Sequence, residues 1–165
     1  MSNYHVEIVN DEDVGEIQEL LGITWRATYG KYYPLEAVEK ITMSWHNSQA
    51  LLSQLHDPNI YFAAAKEGEK IAGIITIRKV DDMTIFLNRL YVLPDFQGKG
   101  IGTLLLKSAF DHFPAAKKIR VECEKQNGSG CGFYMKQGFQ VIGEKNEVVE
   151  GVAMTAVEFE KEIPR

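Results

Sequence analysis

The chain has 165 residues, of which 45% are hydrophobic and 25% are charged, as in an ordinary globular protein. This length is enough for one core, and we expect a single domain over residues 1–165. The net charge of −5 argues against a general nucleic-acid binder, because such proteins need an excess of lysine and arginine to neutralise phosphates.

The first third of the chain predicts one strand followed by helices. Residues 4–9 alternate in hydrophobicity, which is typical of a half-buried strand. Asp11 is the predicted cap of a helix whose apolar positions are Val14, Ile17, Leu20, Leu21 and Trp25. Residues 28–34, TYGKYYP, interrupt this pattern, and a second helix is predicted over residues 35–55.

The rest of the chain predicts strands and two further helices. Strands at 60–66, 71–78 and 84–93 are separated by short turns, which favour antiparallel pairing. A helix from Ile101 ends before Pro114, and in the strand at 118–124 the polar residues Glu122 and Glu124 share one face. A short helix closed by Gly138 precedes two strands at 139–144 and 149–160. We therefore expect an α/β fold with a mixed, mostly antiparallel sheet of about seven strands and about four helices.

The N-terminus shows no signal-peptide pattern, and no apolar run approaches the ~18 residues that a membrane span requires. Only two cysteines are present, Cys123 and Cys131. These features predict a cytoplasmic protein with reduced thiols and no membrane partner.

Residues 97–102 read QGKGIG and lie between a predicted strand and a predicted helix. Glycines here allow unpaired N–H groups at a helix N-terminus to approach an anion such as phosphate. A dinucleotide-binding fingerprint is excluded because Thr103 occupies the position of its last glycine, and no P-loop sequence is present.

A longer pattern surrounds this loop. Leu90-Tyr91-Val92 and Pro94 precede Gln97-x-x-Gly100-x-Gly102, and further on comes Asn127-x-x-Gly130-x-x-Phe133-Tyr134-x-x-x-Gly138-Phe139. The combination resembles the GNAT superfamily of acyl-CoA-dependent N-acyltransferases, over nearly the whole chain. The resemblance implies a GNAT-like fold whose sheet is splayed at the cofactor site.

The same resemblance implies acetyl-CoA as the co-substrate and no metal. The residues expected to bind its pyrophosphate are Gln97, Gly98, Lys99, Gly100, Ile101, Gly102 and Thr103. Backbone groups of Leu90, Tyr91 and Val92 are expected along the pantetheine arm, with Asn127 as a further contact. The family usually has alanine at the position of Gly130, so the contacts near that residue are open.

By resemblance, Tyr134 is the general acid that protonates the departing thiolate, although a tyrosine packed in the core is the alternative. Glu122 is the candidate general base for the amine, with Glu124 in reserve and water alone as another possibility. A backbone N–H near Val92, at a β-bulge, is expected to stabilise the oxyanion. A cysteine nucleophile is disfavoured, and the four histidines show no metal-site or triad spacing.

Trp25, Tyr29 and Tyr33 are the candidate acceptor-binding residues, with Glu144, Glu147 and Glu150 expected across from them. An aromatic and acidic lining suits a primary amine, with a polyamine or another small cationic amine favoured. Residues 23–33 and Gln126-Asn127 are similar to bacterial polyamine acetyltransferases of the spermidine/spermine type. The alternatives are an acetyltransferase of protein or peptide N-termini and a non-catalytic coenzyme A sensor. A homodimer is possible.

Overall fold

A computed structural model of the chain describes residues 3–165 and contains one seven-stranded sheet in the order β1-β2-β3-β4-β5-β7-β6. All neighbouring strands are antiparallel except β4 and β5, which are parallel. The strands are β1 Tyr4–Ile8, β2 Ile60–Glu67, β3 Lys70–Lys79, β4 Thr84–Val92, β5 Lys118–Glu124, β6 Gln140–Val149 and β7 Val152–Glu162. The predicted fold class is confirmed.

The helices are α1 Val14–Tyr29, α2 Leu35–Trp45, α3 Ser48–Leu55, α4 Ile101–His112 and α5 Gly128–Lys136. The prediction of one helix over residues 35–55 is wrong, since His46 leaves the helical conformation with φ −125° and ψ 28°. Asn47 then caps α3, and its side chain accepts a hydrogen bond from the Ala50 N–H over 2.8 Å. Asparagine is a preferred N-cap residue, so the signal was present in the sequence.

The cap that precedes α1 is Asn10, and the assignment of this role to Asp11 was wrong. The Asn10 side chain accepts from the Glu12 N–H, and the Asp13 carboxylate accepts from the Asn10 N–H, each over 3.0 Å. This reciprocal capping box begins a short 3-10 turn that leads into α1.

The last two strands form a tighter hairpin than predicted. Glu150 and Gly151 have positive φ values of 48° and 76°, as in the two-residue turns that match the twist of a hairpin. The turn places Glu147 of β6 opposite Met154 of β7.

Hydrophobic clusters cover both faces of the sheet. On one face α4 packs Leu105 and Ala109 against β-strand residues such as Ile75, and Tyr134 of α5 belongs to the same cluster. On the other face α1 and α3 pack against β2 and β3. A third cluster joins α1, α2 and β7 and contains Trp25, Tyr29, Val38, Ile41 and Met154. Helices therefore pack against both faces of the sheet.

Candidate active site

A wedge opens in the centre of the sheet between β4 and β5. These strands pair only at residues 84–87 with 118–121, and beyond Leu87 they separate. In the pairing of β3 with β4, Thr76 lies opposite Arg89 and Ile77 opposite Leu87, so Asn88 is an extra residue on β4. This β-bulge bends the strand where the wedge begins. The predicted splay is confirmed, but the predicted position of the bulge is wrong, since it lies at Asn88, four residues before Val92.

The edge of β4 along the wedge carries backbone groups without a strand neighbour. Leu93 N–H donates to the Ala72 carbonyl over 2.9 Å. Because hydrogen-bonded pairs alternate in an antiparallel ladder, Leu90 and Val92 direct their N–H and C=O groups away from β3 and towards the wedge. The Gln97 side chain caps one of these groups, since its Nε2 donates to the Val92 carbonyl over 3.0 Å.

The glycine loop adopts the conformation that its sequence predicts. Gly98 and Gly100 have φ values of 77° and 82°, in the left-handed region that favours glycine. The first helical hydrogen bond of α4 runs from Leu104 N–H to the Gly100 carbonyl, and no side chain of the described chain caps the helix. The N–H groups of residues 101–103 therefore have no acceptor within the helix, an arrangement that suits an anion. We call these three N–H groups the anion cradle.

A cleft of about 860 Å³ extends from this cradle into the wedge. Eleven of the twelve residues predicted to bind coenzyme A line it, namely Leu90, Tyr91, Val92, Gln97, Gly98, Gly100, Ile101, Gly102, Thr103, Asn127 and Tyr134. The twelfth, Lys99, is outside the lining, and its ammonium lies 5.5 Å from the centroid of the Phe96 ring. We call this space the donor cleft.

Tyr134 of α5 lies in the wall of the donor cleft and is only 6% exposed. Its ring packs against Phe133, Phe139 and Phe159. Burial raises the pKa of the Tyr134 hydroxyl well above its ordinary value, and the nearby Cys123 thiol adds to the rise. The hydroxyl is therefore protonated at neutral pH and able to donate a proton or a hydrogen bond.

Asn127 is the N-cap of α5, and its Oδ1 accepts from the Gly130 N–H over 2.9 Å. A Cβ atom at position 130 would lie 2.4 Å from the Asn127 Nδ2 atom. Glycine in place of alanine at this position is therefore what allows Asn127 to hold this rotamer.

Glu122 and Glu124 lie at the C-terminal end of β5, beyond the residues that pair with β4, and line the donor cleft. The Lys145 ammonium lies 2.9 and 3.2 Å from the two Glu122 carboxylate oxygens. Glu124 instead accepts a 2.8 Å hydrogen bond from the Tyr33 hydroxyl. Burial and then this contact with Glu124 raise the pKa of Tyr33 to about 12.

A second cavity of about 470 Å³, which we call the acceptor cavity, opens on the side of the wedge that faces α1, α2 and α3. Three carboxylates line it, from Glu122, Glu124 and Glu147, together with an aromatic group made up of Trp25, Tyr29, Trp45 and Tyr91. The two cavities share Tyr29, Leu87, Asn88, Tyr91, Glu122 and Glu124. They therefore meet at the wedge.

The predicted acceptor residues have different positions relative to this cavity. Trp25 and Tyr29 line it, whereas Tyr33 lines neither space and reaches the site through Glu124. Of the acidic residues expected across from them, Glu147 lines the cavity, and Glu144 forms an ion pair with Lys125 at 3.0 Å.

Several residues of the site were missed from the sequence, among them the polar residues Asn88, Arg89 and His46. Asn88 lines both cavities, while Arg89 and His46 are 5% and 3% exposed and line the acceptor cavity. Arg89 donates from Nε to Nδ1 of His46 over 3.0 Å. Charged and polar residues usually have exposed side chains, so the sequence contained no local signal that Arg89 and His46 are buried.

A family model described as the acetyltransferase (GNAT) family matches residues 16–139. The chain belongs to the GNAT family. It is therefore an acetyl-CoA-dependent N-acetyltransferase, which agrees with a cleft ending in an anion cradle.

A curated relative and a solved structure, both from Thermoplasma acidophilum, are similar to this GNAT protein. A spermidine N(1)-acetyltransferase is 29% identical over 138 residues, which cover 79% of this chain and 84% of the relative. The crystal structure of the PaiA N-acetyltransferase in complex with coenzyme A has a TM-score of 0.83 and 25% identity, and covers 99% of this chain and 100% of that one.

The fold is also shared with the ribosomal-protein-S18-alanine N-acetyltransferase of Escherichia coli. That structure has a TM-score of 0.75 with 14% identity, and covers 98% of this chain and 95% of its own. Across residues 3–165, no helix has the length and apolar character that a membrane crossing needs. Within the same range, no three His, Cys, Asp or Glu side chains are grouped to hold a metal.

Proposed function

We propose that this enzyme transfers an acetyl group from acetyl-CoA to a primary amine, by direct attack within a ternary complex. Polyamines and other small cationic amines are the favoured acceptors. The observation that carries the proposal is the meeting of two cavities at the wedge, one ending in an anion cradle and the other lined by three carboxylates and four aromatic rings. A carboxylate and aromatic lining suits an ammonium group.

The donor cleft fits the proposed position of acetyl-CoA. The N–H groups at the start of α4 would bind its pyrophosphate, and Leu90 and Val92 would present backbone groups to the pantetheine arm as an added strand would. Gln97, Lys99 and Asn127 are proposed as further contacts. The Val92 N–H is the candidate donor to the oxyanion, because it points into the wedge.

Tyr134 and Glu122 are proposed to carry the proton transfers. The amine nitrogen attacks the thioester carbonyl carbon as its proton passes to Glu122, directly or through water. As the carbon–sulfur bond breaks, the Tyr134 hydroxyl supplies a proton to the thiolate. The position of Tyr134 in the wall of the donor cleft supports this role, because its protonated hydroxyl can donate a hydrogen bond to the sulfur as negative charge develops there.

The comparisons support the choice of acceptor class. The Thermoplasma acidophilum relative, 29% identical to this chain, is a spermidine N(1)-acetyltransferase. A polyamine carries several ammonium groups, and the acceptor cavity offers carboxylates from both β5 and β6.

The test is an acceptor screen that measures release of free coenzyme A thiol. Acetyl-CoA is combined with spermidine, spermine, putrescine, aminoglycosides, amino acids and peptides with free N-termini. We expect turnover with small cationic amines and double-reciprocal plots that intersect, as a ternary complex requires. Parallel plots would instead indicate a covalent acetyl-enzyme.

Two other functions are distinguished by the same screen. Turnover of peptides alone would identify an acetyltransferase of protein N-termini. The only support for this alternative is the position of Glu122 in the sequence, as the candidate general base. Binding of acetyl-CoA with no turnover of any acceptor would identify a non-catalytic coenzyme A sensor. A cytoplasmic location and a homodimer are further predictions, to be checked by cell fractionation and by light scattering.

A further inference from the structure

The wall of the acceptor cavity formed by β4, α2 and α3 contains a buried guanidinium. Arg89 donates to Nδ1 of His46 over 3.0 Å, to the Trp45 carbonyl over 2.9 Å and to Oε1 of Gln54. All three acceptors are uncharged, and no carboxylate of residues 3–165 forms an ion pair with Arg89. A full positive charge is therefore buried beside the cavity without a counter-ion.

Two more side chains of this wall have unused hydrogen-bond donors. The guanidinium can only donate, so Nδ1 of His46 must accept, and the proton of the neutral imidazole is on Nε2. Burial lowers the pKa of His46 to about 3, which keeps the ring neutral. The buried Nε2 atom of His46 has no hydrogen-bond partner among the described residues. The buried Nε1 atom of Trp25 makes no hydrogen bond of normal geometry within the same residues, and the Tyr91 hydroxyl is the polar group beside it.

The three side chains therefore form a wall of hydrogen-bond donors, which we define as Trp25, His46 and Arg89 and call the donor wall. It belongs to the acceptor cavity and is separate from the donor cleft. Each is at most 5% exposed, and each lines the acceptor cavity. An uncompensated buried charge and an unsatisfied buried donor each destabilise the folded protein. A ligand that brings a negative charge and acceptor oxygens would offset both costs.

The cavity is thus bipolar, because the donor wall comes from α1, β4 and the break between α2 and α3, whereas the carboxylates of Glu122, Glu124 and Glu147 come from β5 and β6. We propose that the acceptor of this enzyme carries a carboxylate as well as its amine, with the carboxylate bound by the donor wall and the amine held near Glu122 and Glu124. The inference rests on the proposed function, because it assumes an amine acceptor. It narrows the small cationic amines of the proposed function to those of the basic amino-acid type and, unlike that proposal, disfavours polyamines.

The choice follows from charge complementarity. A diamine would direct its second ammonium group towards Arg89, and this repulsion would be strong in a buried site. A carboxylate at the same end would pair with the guanidinium and accept from the indole and imidazole N–H groups. Arginine is the residue best suited to bidentate carboxylate binding.

The test uses pairs of ligands that differ only in the carboxylate: lysine against cadaverine, and ornithine against putrescine. Binding to the enzyme saturated with coenzyme A is measured by titration calorimetry, and turnover with acetyl-CoA by thiol release. We expect each amino acid to bind at least tenfold more tightly than its diamine and to have a correspondingly higher kcat/KM.

Variants of the donor wall identify the residues responsible. Arg89→Met should abolish the difference within each pair, and Arg89→Lys should restore part of it. Trp25→Phe, which removes the indole N–H together with part of the buried ring, should reduce it. Circular dichroism and coenzyme A affinity show whether each variant is folded. The Trp25→Phe result keeps the test decisive if Arg89→Met does not fold.

The inference and the proposed function fail in different ways. Equal or tighter binding of the diamines would overturn the carboxylate-bearing acceptor and leave amine acetylation intact. A preference for amino acids that persists in Arg89→Met and Trp25→Phe would also overturn it. Absence of turnover with every amine, while acetyl-CoA binds, would overturn the proposed function, and calorimetry would still decide whether the donor wall selects a carboxylate.

Discussion

Arg89 donates its Nε–H to Nδ1 of His46 over 3.0 Å, and this contact joins the bulged strand β4 to the break between α2 and α3. Both side chains are at least 95% buried. Because the imidazole accepts from a cation, its protonation would place two positive charges side by side. Burial together with Arg89 therefore lowers the pKa of His46 to about 3, well below the ordinary value of 6.5.

This pKa predicts a component of acid instability. Between pH 6.5 and 3 the unfolded chain binds a proton at His46 that the folded chain does not, so stability falls as the pH is lowered through this range. At pH 4.5 the loss should be about 3 kcal/mol relative to neutral pH. The measurement is urea unfolding at pH 7 and 4.5 of the wild type and His46→Gln, whose side chain accepts from Arg89 but does not titrate. Equal losses in both proteins would contradict the prediction.

Tyr134→Phe should lower kcat by about 100-fold, because the departing thiolate loses its proton donor. The ring packing against Phe139 and Phe159 is retained, so the dissociation constant of coenzyme A should be nearly unchanged. Steady-state kinetics measure kcat, and calorimetry measures the dissociation constant of coenzyme A. Tyr61→Phe is the matched control, because the Tyr61 hydroxyl donates a hydrogen bond to Ser108 and the residue lines neither cavity. Normal turnover by Tyr134→Phe would remove the residue from the proposed role.

Gly100→Ala should weaken coenzyme A binding about tenfold, equivalent to about 1.4 kcal/mol. The residue has a φ of 82°, which strains a residue with a Cβ atom, so the loop of the variant should relax from the conformation that directs the N–H groups of α4 at an anion. Gly15→Ala is the control, since it is helical with open space around it and far along the chain from the loop. We expect slightly increased stability and unchanged affinity for Gly15→Ala. Unchanged affinity in Gly100→Ala would argue against the anion cradle.

Glu122→Gln should lower kcat/KM for the best amine by about 100-fold at neutral pH. The loss should shrink as the pH rises towards the amine pKa, because more acceptor is already unprotonated. Glu144→Gln is the control, because it breaks a similar glutamate–lysine pair, with Lys125 at 3.0 Å, and lines neither cavity. Glu124→Gln measures the reserve base. A larger loss in Glu124→Gln than in Glu122→Gln would identify Glu124 as the general base in place of Glu122.

Much of the fold could be predicted because its signals are local. Alternation in residues 118–124 reflects the two faces of a strand, and the positive φ of Gly98 and Gly100 follows from glycine at a turn before a helix. The donor cleft is built largely from one continuous segment, residues 90–103, together with the start of α5. A site whose parts are adjacent in sequence can be recognised from sequence.

The acceptor cavity depends instead on residues that only the tertiary structure brings together. Trp25, His46, Arg89 and Glu147 come from four separate parts of the chain. Their proximity depends on the single extra residue at Asn88 and on the register of β6 with β7. The sequence alone therefore predicted an anion site between a strand and a helix, because backbone conformation and periodicity are encoded locally. Its motifs also carried the resemblance to a family of acyl-CoA-dependent enzymes, which implied the acyl donor. The tertiary structure alone decided that the opposite cavity combines a buried cation with three carboxylates, because burial and charge pairing depend on which elements meet.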